Sequence, residues 1–336
     1  MSFKRLDPED ISISAEAISA PLWSTGLANL QTFFTSSTQT QGPTGDFYYK
    51  VYSEVTTQNS QFSITFGDKL GRGTTQYNNT VVEYSPSSTI YGQFRNLVFG
   101  DEDTNFVFGT VTQDSVYVIT FDRARYKEKL LPGSFNITLA DPAGTGGTIT
   151  LTDNSKDIST ISYVDAGRVY EIISGSNGTS YNTTSQGYTT SQGSYGKFLP
   201  DVGVVILNAA ALDLPGPQGI NLGTGYQTNI LDLNIDKLYT AIALGGDCDA
   251  LSEETVSSNY IFVRVRNSEF NYSTNPSNIT GSGELRHAVM VNTPQAYLTA
   301  VGLYNDSNDL VAVAKLSKPL LKDFTKEALV RIKLDY

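Results

Sequence analysis

VGLYNDSNDLVAVAKLSKP, residues 301–319, reads as an apolar strand, a polar turn over residues 305–309 and a second strand closing on Lys318 and Pro319. It poses the functional question too: this is either the edge of a catalytic domain or a part that fits against other parts. The same period of two recurs along the chain. Phe62, Ile64 and Phe66 fall on one face, as do Val116, Val118 and Thr120, and Phe135, Ile137 and Leu139, which reads as half-buried strands. Further strands are expected over 46–55, 147–153, 168–174, 202–208, 258–267, 296–305, 309–316 and 328–336. Gly, Asn, Asp, Ser and Pro lie between most of them. The last strand holds no clean alternation at Leu329, Ile332 and Leu334, so it is expected to be covered on both faces. The closing hairpin is expected to join the central sheet, with Pro319 in the loop to the third strand.

Two segments break toward helix. In SPSSTIYGQFRNLVFG, Ser85 suits a cap, Pro86 the first helical position and Gly100 the stop, with Ile90, Phe94 and Leu97 on one face. In FDRARYKEKLLPG, Asp122 opens a basic run that Pro132 and Gly133 close, and a shorter helix is expected over 234–246. The fold class is therefore mainly β: antiparallel, sandwich-like sheets with two or three short helices. From about Asp141 to Tyr195 the chain turns rich in Gly, Thr, Ser, Asn and Gln. Tyr181, Tyr188 and Tyr195 recur there every seven residues, and the stretch reads either as a linker or as polar β structure packed on a neighbour. The composition suggests an N-terminal arm with first strands (1–45), a core β domain (46–140 and 255–336) and an inserted Gly/Ser/Thr-rich lobe (141–254).

The chain has 336 residues, enough for one large β domain or two smaller ones. Its net charge of -11 argues against a nucleic-acid partner, which needs clustered Lys and Arg to displace counterions. One cysteine, Cys248, excludes an internal disulfide and a multi-cysteine metal site within one chain. No stretch has the apolar length of a membrane helix or a signal peptide, so a soluble protein made in a cytoplasm, with no membrane partner, is expected. Asn-x-Ser/Thr sequons, among them Asn78, Asn136, Asn177, Asn182, Asn271 and Asn278, then follow simply from the abundance of those residues.

Catalytic signatures are sparse. The single histidine, His287, has no Gly-x-Ser-x-Gly elbow to serve, and Cys248 sits between Asp247 and Asp249, whose charges make a thiol less reactive. FGDKLGRGT (66–74) is Gly-rich and basic but fails the Walker spacing, so it reads as a tight turn. The acidic groups Asp7, Glu9 and Asp10, Asp101 to Asp103, and the 305–309 turn lack a closing Glu at EF-hand spacing and read as solvated turns. No cofactor or metal is expected. Trp23, Tyr48, Tyr49 and Tyr91 would suit either a sugar platform or an aromatic core.

Three stretches carry a likeness to a known family. They are FKRLDPEDISISAEAISAPLWSTG with TFFTSSTQ, SSTIYGQFRNLVFGDED with VYVITFDRARYKEKLLPGSFNITL, and NYSTNPSNITGSGELRHAVMVNTPQAYLTAVGLYNDSNDLVAVAKLSKPLLKDFTKEALVRIKLDY. They resemble virion structural proteins of contractile-tailed phages, especially those of marine cyanobacteria. The likeness spans most of the chain outside the Ser/Gly/Thr-rich lobe. It implies a non-enzymatic tail or baseplate subunit in the virion, made in the host cytoplasm, whose partners are other virion proteins and copies of itself. A receptor-binding or fibre-associated adhesin for host glycans is the alternative. Candidate interface residues are Trp23, on an arm or in the chain's own core, the basic residues Arg123, Arg125, Lys127 and Lys129, and the spaced Tyr181, Tyr188 and Tyr195.

Overall fold

The computed structural model describes residues 6, 8–21, 34–35, 48–52, 60–73, 85–144, 147–181, 191–226 and 234–335. In chain order the strands are β1 (Ile11–Pro21), β2 (Phe34–Thr35), β3 (Tyr48–Tyr52), β4 (Ser60–Asp68), β5 (Phe106–Phe108), β6 (Val111–Gln113), β7 (Ser115–Phe121), β8 (Lys129–Leu130), β9 (Asn136–Ala140) and β10 (Thr148–Asp153). There follow β11 (Ser162–Val164), β12 (Gly167–Ser176), β13 (Thr179–Ser180), β14 (Gly196–Leu199), β15 (Val204–Asn208), β16 (Asp247–Asp249), β17 (Ser252–Val265), β18 (Ala296–Tyr304), β19 (Leu310–Lys322) and β20 (Ala328–Asp335). The helices are α1 (Pro86–Phe99), α2 (Ala209–Leu212), α3 (Asn234–Gly245) and α4 (Ala288–Asn292). The fold is mainly β, and its contacts divide it into two units: Ala20–Glu254, and Met1–Ser19 with Thr255–Tyr336.

The larger unit is built on one antiparallel sheet in the order β16-β9-β10-β12-β14-β15-β7-β4-β3-β2, with β11 and β13 attached to β12. At its centre, Tyr117, Ile119 and Phe121 of β7 join Phe62, Ile64 and Phe66 of β4 and Val205 and Leu207 of β15 in one core. Ile235, Leu238, Ala241 and Ile242 of α3 belong to the same core. Val116, Val118, Val204 and Ile206 join a second core with Tyr91 and Val98 of α1 and Phe106 and Phe108 of β5. The expectation of a half-buried β7 is thus corrected. Both its faces are buried, and a strand in that position is selected for continuous apolar character.

Helix α1 starts and stops where its signals lie: Ser85 is extended, Pro86 opens the first turn, and Gly100 ends it in the left-handed region at φ 63°, its N–H bonded to Asn96 O. Its buried residues are Ser87, Tyr91 and Val98, with Phe94 partly buried, while Leu97 stays exposed, so the expected Ile90–Phe94–Leu97 face is off by a fraction of a turn. Tyr91 sets that rotation. Its hydroxyl donates to Gln113 O at 3.1 Å and its ring meets Phe106 edge-on at 5.1 Å. The helix lies so close to β4 that a Cβ on Gly67 would stand 2.9 Å from the Tyr91 nitrogen.

The expected division at residue 141 is also corrected. β9 and β10 pair antiparallel across it, from Thr148↔Ala140 to Thr152↔Asn136, and β15 pairs directly with β7. Within the Gly/Ser/Thr-rich stretch the described residues form β10 to β13, and residues 182–190 lie outside the described residues.

In the second unit, β17 pairs with β20 from Ser258↔Asp335 to Val265↔Ala328, and β1 lies in the same sheet. β20 alternates cleanly, with Ala328, Val330 and Ile332 buried and Leu329 69% exposed; the expected two-sided covering is not found. β18 and β19 form a two-stranded sheet of their own, outside the central sheet they were expected to join. Its turn has Asn305 N bonded to Asp309 O at 3.1 Å and Asn308 at φ 64°. Pro319 lies inside β19, where the register jumps from Leu298↔Leu320 to Ala300↔Lys315, and not in the following loop. A proline without an N–H fits such a bulge.

Candidate interaction surfaces

The basic segment is a short 3-10 turn, Arg123–Arg125, leading into β8; the expected helix is not formed. Asp122 does cap the turn, its carboxylate accepting from Ala124 N at 3.0 Å. Arg123 donates to Tyr126 O at 2.7 Å and lies 4.7 Å over the Tyr126 ring, while Arg125 donates to Ser60 O at 2.7 Å. Lys127 approaches Glu254 at 3.8 Å, and Lys129 approaches Asp201 at 3.9 Å. These four cations are therefore engaged within their own unit, which weakens the case for them as a docking patch.

Lys129 belongs to a node that sequence reading misses. The Arg168 guanidinium bridges two carboxylates, at 2.7 Å from Asp201 and 2.7 Å from Glu253, and the Arg168 backbone N–H also donates to Asp201 at 2.7 Å. Burial works against the charge on Arg168, but its hydrogen bonds to both acids raise its pKa; burial likewise opposes ionised Asp201, which the Arg168 hydrogen bonds hold below the usual carboxylate range. The partners stand 33 and 85 positions away in sequence, so no local pattern reveals them. A guanidinium forked between two acids ties β12, an interior strand of the large sheet, to the start of β17.

The three tyrosines separate. Tyr195 is fully buried, donates to Gln218 O at 2.6 Å and has its pKa pushed up to about 12 by burial, so it is a core residue and its assignment to an interface is corrected. Tyr181 is 56% exposed. Tyr188 and Trp23 lie outside the described residues.

His287 is exposed at the cap position of α4 and makes no side-chain cap bond. Cys248 is completely buried in β16, and that burial, with Asp249 and Asp247 adding to it, raises its pKa. The described part of the Gly-rich stretch, residues 66–73, wraps around a buried acid: the Asp68 carboxylate accepts from Leu70 N at 3.0 Å, Arg72 N at 2.9 Å and the Arg72 side chain at 3.0 Å. The amides that a phosphate would need are thereby already taken. A shallow cleft of about 300 Å³ is lined by Tyr163, Asn154, Ser162, Glu171 and Lys197. Two of its polar groups bond each other, Lys197 donating to Glu171, which also accepts from Ser194 outside the cleft.

Among the described residues, several large apolar side chains stand exposed on the second unit's hairpin. Val301, Leu303, Ala314 and Leu316 lean on the small core of Val263, Val330 and Ile332. Tyr297, Tyr304, Leu310, Val311 and Val313 remain between 40% and 66% exposed. The base is pinned by Lys322, whose side chain is buried and whose ammonium donates to Asn267 O at 3.0 Å, Asn271 Oδ1 at 2.7 Å and Asp323 O at 2.9 Å. Burial lowers the Lys322 pKa, opposed by Asp323, Glu269 and Glu327. In comparisons with known proteins, no family model, no curated protein and no solved structure matches the chain.

Proposed function

We propose that the chain is a non-enzymatic virion structural protein, a tail or baseplate subunit that works through protein–protein interfaces. The observation that carries this reading is the Ala296–Lys322 hairpin, whose large apolar side chains stand exposed on a sheet of only two strands. Clustered apolar exposure of this kind marks contact surfaces. The stretch also lies in the C-terminal segment whose sequence resembles phage virion proteins. Electron cryo-microscopy of the particle tests it. Density for the chain with residues 296–322 packed on neighbouring subunits supports the reading; a chain absent from the particle contradicts it.

The adhesin alternative draws on Tyr163, 70% exposed at the rim of the 300 Å³ cleft. A glycan-array screen distinguishes it. Binding that is abolished by Tyr163→Ala would favour the adhesin, with the chain then found at a free tip.

A further inference from the structure

Lysine is seldom buried without a carboxylate bonded to it, because taking an ammonium out of water is costly. Lys322, the last residue of β19, is fully buried, and its hydrogen bonds to Asn267 O, Asn271 Oδ1 and Asp323 O all end on uncharged oxygens. Asn271 is buried as well. Its Oδ1 lies 2.7 Å from Lys322 Nζ, and since a C=O bond is ~1.2 Å long, Cγ is within about 4 Å of the same nitrogen. Asn271 Nδ2 donates to Asn267 O at 2.7 Å, so the amide is held at both ends. Burial lowers the Lys322 pKa and favours the uncharged amine, whose lone pair makes it a nucleophile.

Three acids act on the Lys322 charge: Asp323, Glu269 and Glu327. The Asp323 carboxylate accepts from Thr325 and pairs with Lys326, while exposed Glu327 is forked by Arg264. Glu269 is buried, two positions before Asn271, and is the most sheltered of the three.

We infer that Lys322 and Asn271 close an intramolecular isopeptide bond, with Glu269 moving the proton. Neutral Nζ adds to Asn271 Cγ, forming the Nζ–Cγ bond; the Cγ–Nδ2 bond breaks, and Nδ2 keeps its electron pair. Glu269 takes a proton from Nζ and delivers one to Nδ2, which leaves as ammonia, and nothing is oxidised or reduced. The step occurs once per chain, so it is not enzymatic turnover, and it stands independently of the virion reading. The product replaces a buried cation with a neutral amide. It also ties the end of β19 to the segment after β17 across 51 positions, at the base of a hairpin that two strands alone hold only marginally. A cross-link of that span restricts the unfolded chain.

Mass spectrometry of the full chain, expressed alone, tests it. The wild type is expected to be lighter than its sequence by one ammonia, and a protease digest to contain one branched peptide joining the segments of Asn271 and Lys322. Lys322→Arg keeps a cation but cannot form this amide, so it should retain the full mass, as should Asn271→Ala. Lys318→Arg, at an exposed position of the same strand, should still lose ammonia. Glu269→Gln should slow the conversion at least about a hundredfold, leaving the unlinked mass in freshly purified protein.

The wild-type digest decides the matter even if a variant fails to fold: a chain of full mass without the branched peptide overturns the inference. Loss of ammonia that persists in Lys322→Arg also overturns it, because that loss would come from ring closure at an asparagine. Equal conversion in Glu269→Gln overturns the part given to Glu269.

Discussion

β7 and β18 are both antiparallel strands rich in Val, Tyr and other β-favouring residues, yet they end in opposite circumstances. β7 has α1 and β5 on one face and the α3-capped core on the other, and its Val116 to Ile119 are fully buried. β18 has one neighbour strand, a small core beneath Val301 and Leu303, and exposed Tyr297 and Tyr304. The difference shows that strand propensity marks a surface suited to pleated packing, while the rest of the chain decides whether anything covers it. The centre of the larger unit's sheet buries its apolar side chains on both faces, whereas the hairpin of the second unit leaves several of its own exposed.

Substitutions sharpen this contrast. Phe198 is fully buried and stacked on Phe135 at a centroid distance of 5.2 Å, so Phe198→Ala should cost about 4 kcal/mol in chemical denaturation. Loss of less than about 1 kcal/mol would show that the core collapses around the gap. Arg168→Met leaves Asp201 and Glu253 without their shared cation and should cost about 3 kcal/mol at neutral pH. Because the Asp201 pKa is lowered in the folded state, its contribution is present above its unfolded value and lost as pH falls through the folded one. The gap between wild type and Arg168→Met should therefore narrow below about pH 4. A gap constant across that window would remove Asp201 from the account.

Tyr195→Phe should cost about 1 kcal/mol by removing the bond to Gln218 O. Its raised pKa has the opposite sense: the stability linked to the neutral phenol is intact below about pH 10 and is lost as pH rises toward about 12. The wild type should lose more stability than Tyr195→Phe over that alkaline range. The smallest effect belongs to the exposed hairpin, where Val313→Ser should change the stability of the free chain by no more than about 0.5 kcal/mol while lowering its incorporation into particles. A large stability loss there would mean that the hairpin is covered within its own chain.

Much of the framework was legible in the sequence, for identifiable reasons. Phe62, Ile64 and Phe66 alternate because β4 turns one face to the main core, and the Ser85–Pro86 start and Gly100 stop of α1 are local signals that tertiary packing left in place. The basic run at Arg123 to Lys129 misled because its cations are engaged by the chain itself, at Tyr126, Ser60, Glu254 and Asp201, and pairing across the sheet replaced a helix. Tyr195 was drawn into an apparent heptad with Tyr181 and Tyr188 although its ring belongs to the core. The Arg168–Asp201–Glu253 node and the buried Lys322 arise from distant segments, so only the fold displays them. The hairpin over 301–319 was legible as strand, turn and strand, but its separation from the central sheet was not, because alternation reports the pleat and not the neighbour.

Hydrogen exchange, measured on dilute free protein and on purified virions, tests the central claim most directly. Residues 115–121 are expected to exchange slowly in both, and residues 296–304 quickly in the free chain and slowly in the particle. Equal exchange of 296–304 in the two samples would contradict the assignment of the hairpin as an assembly surface.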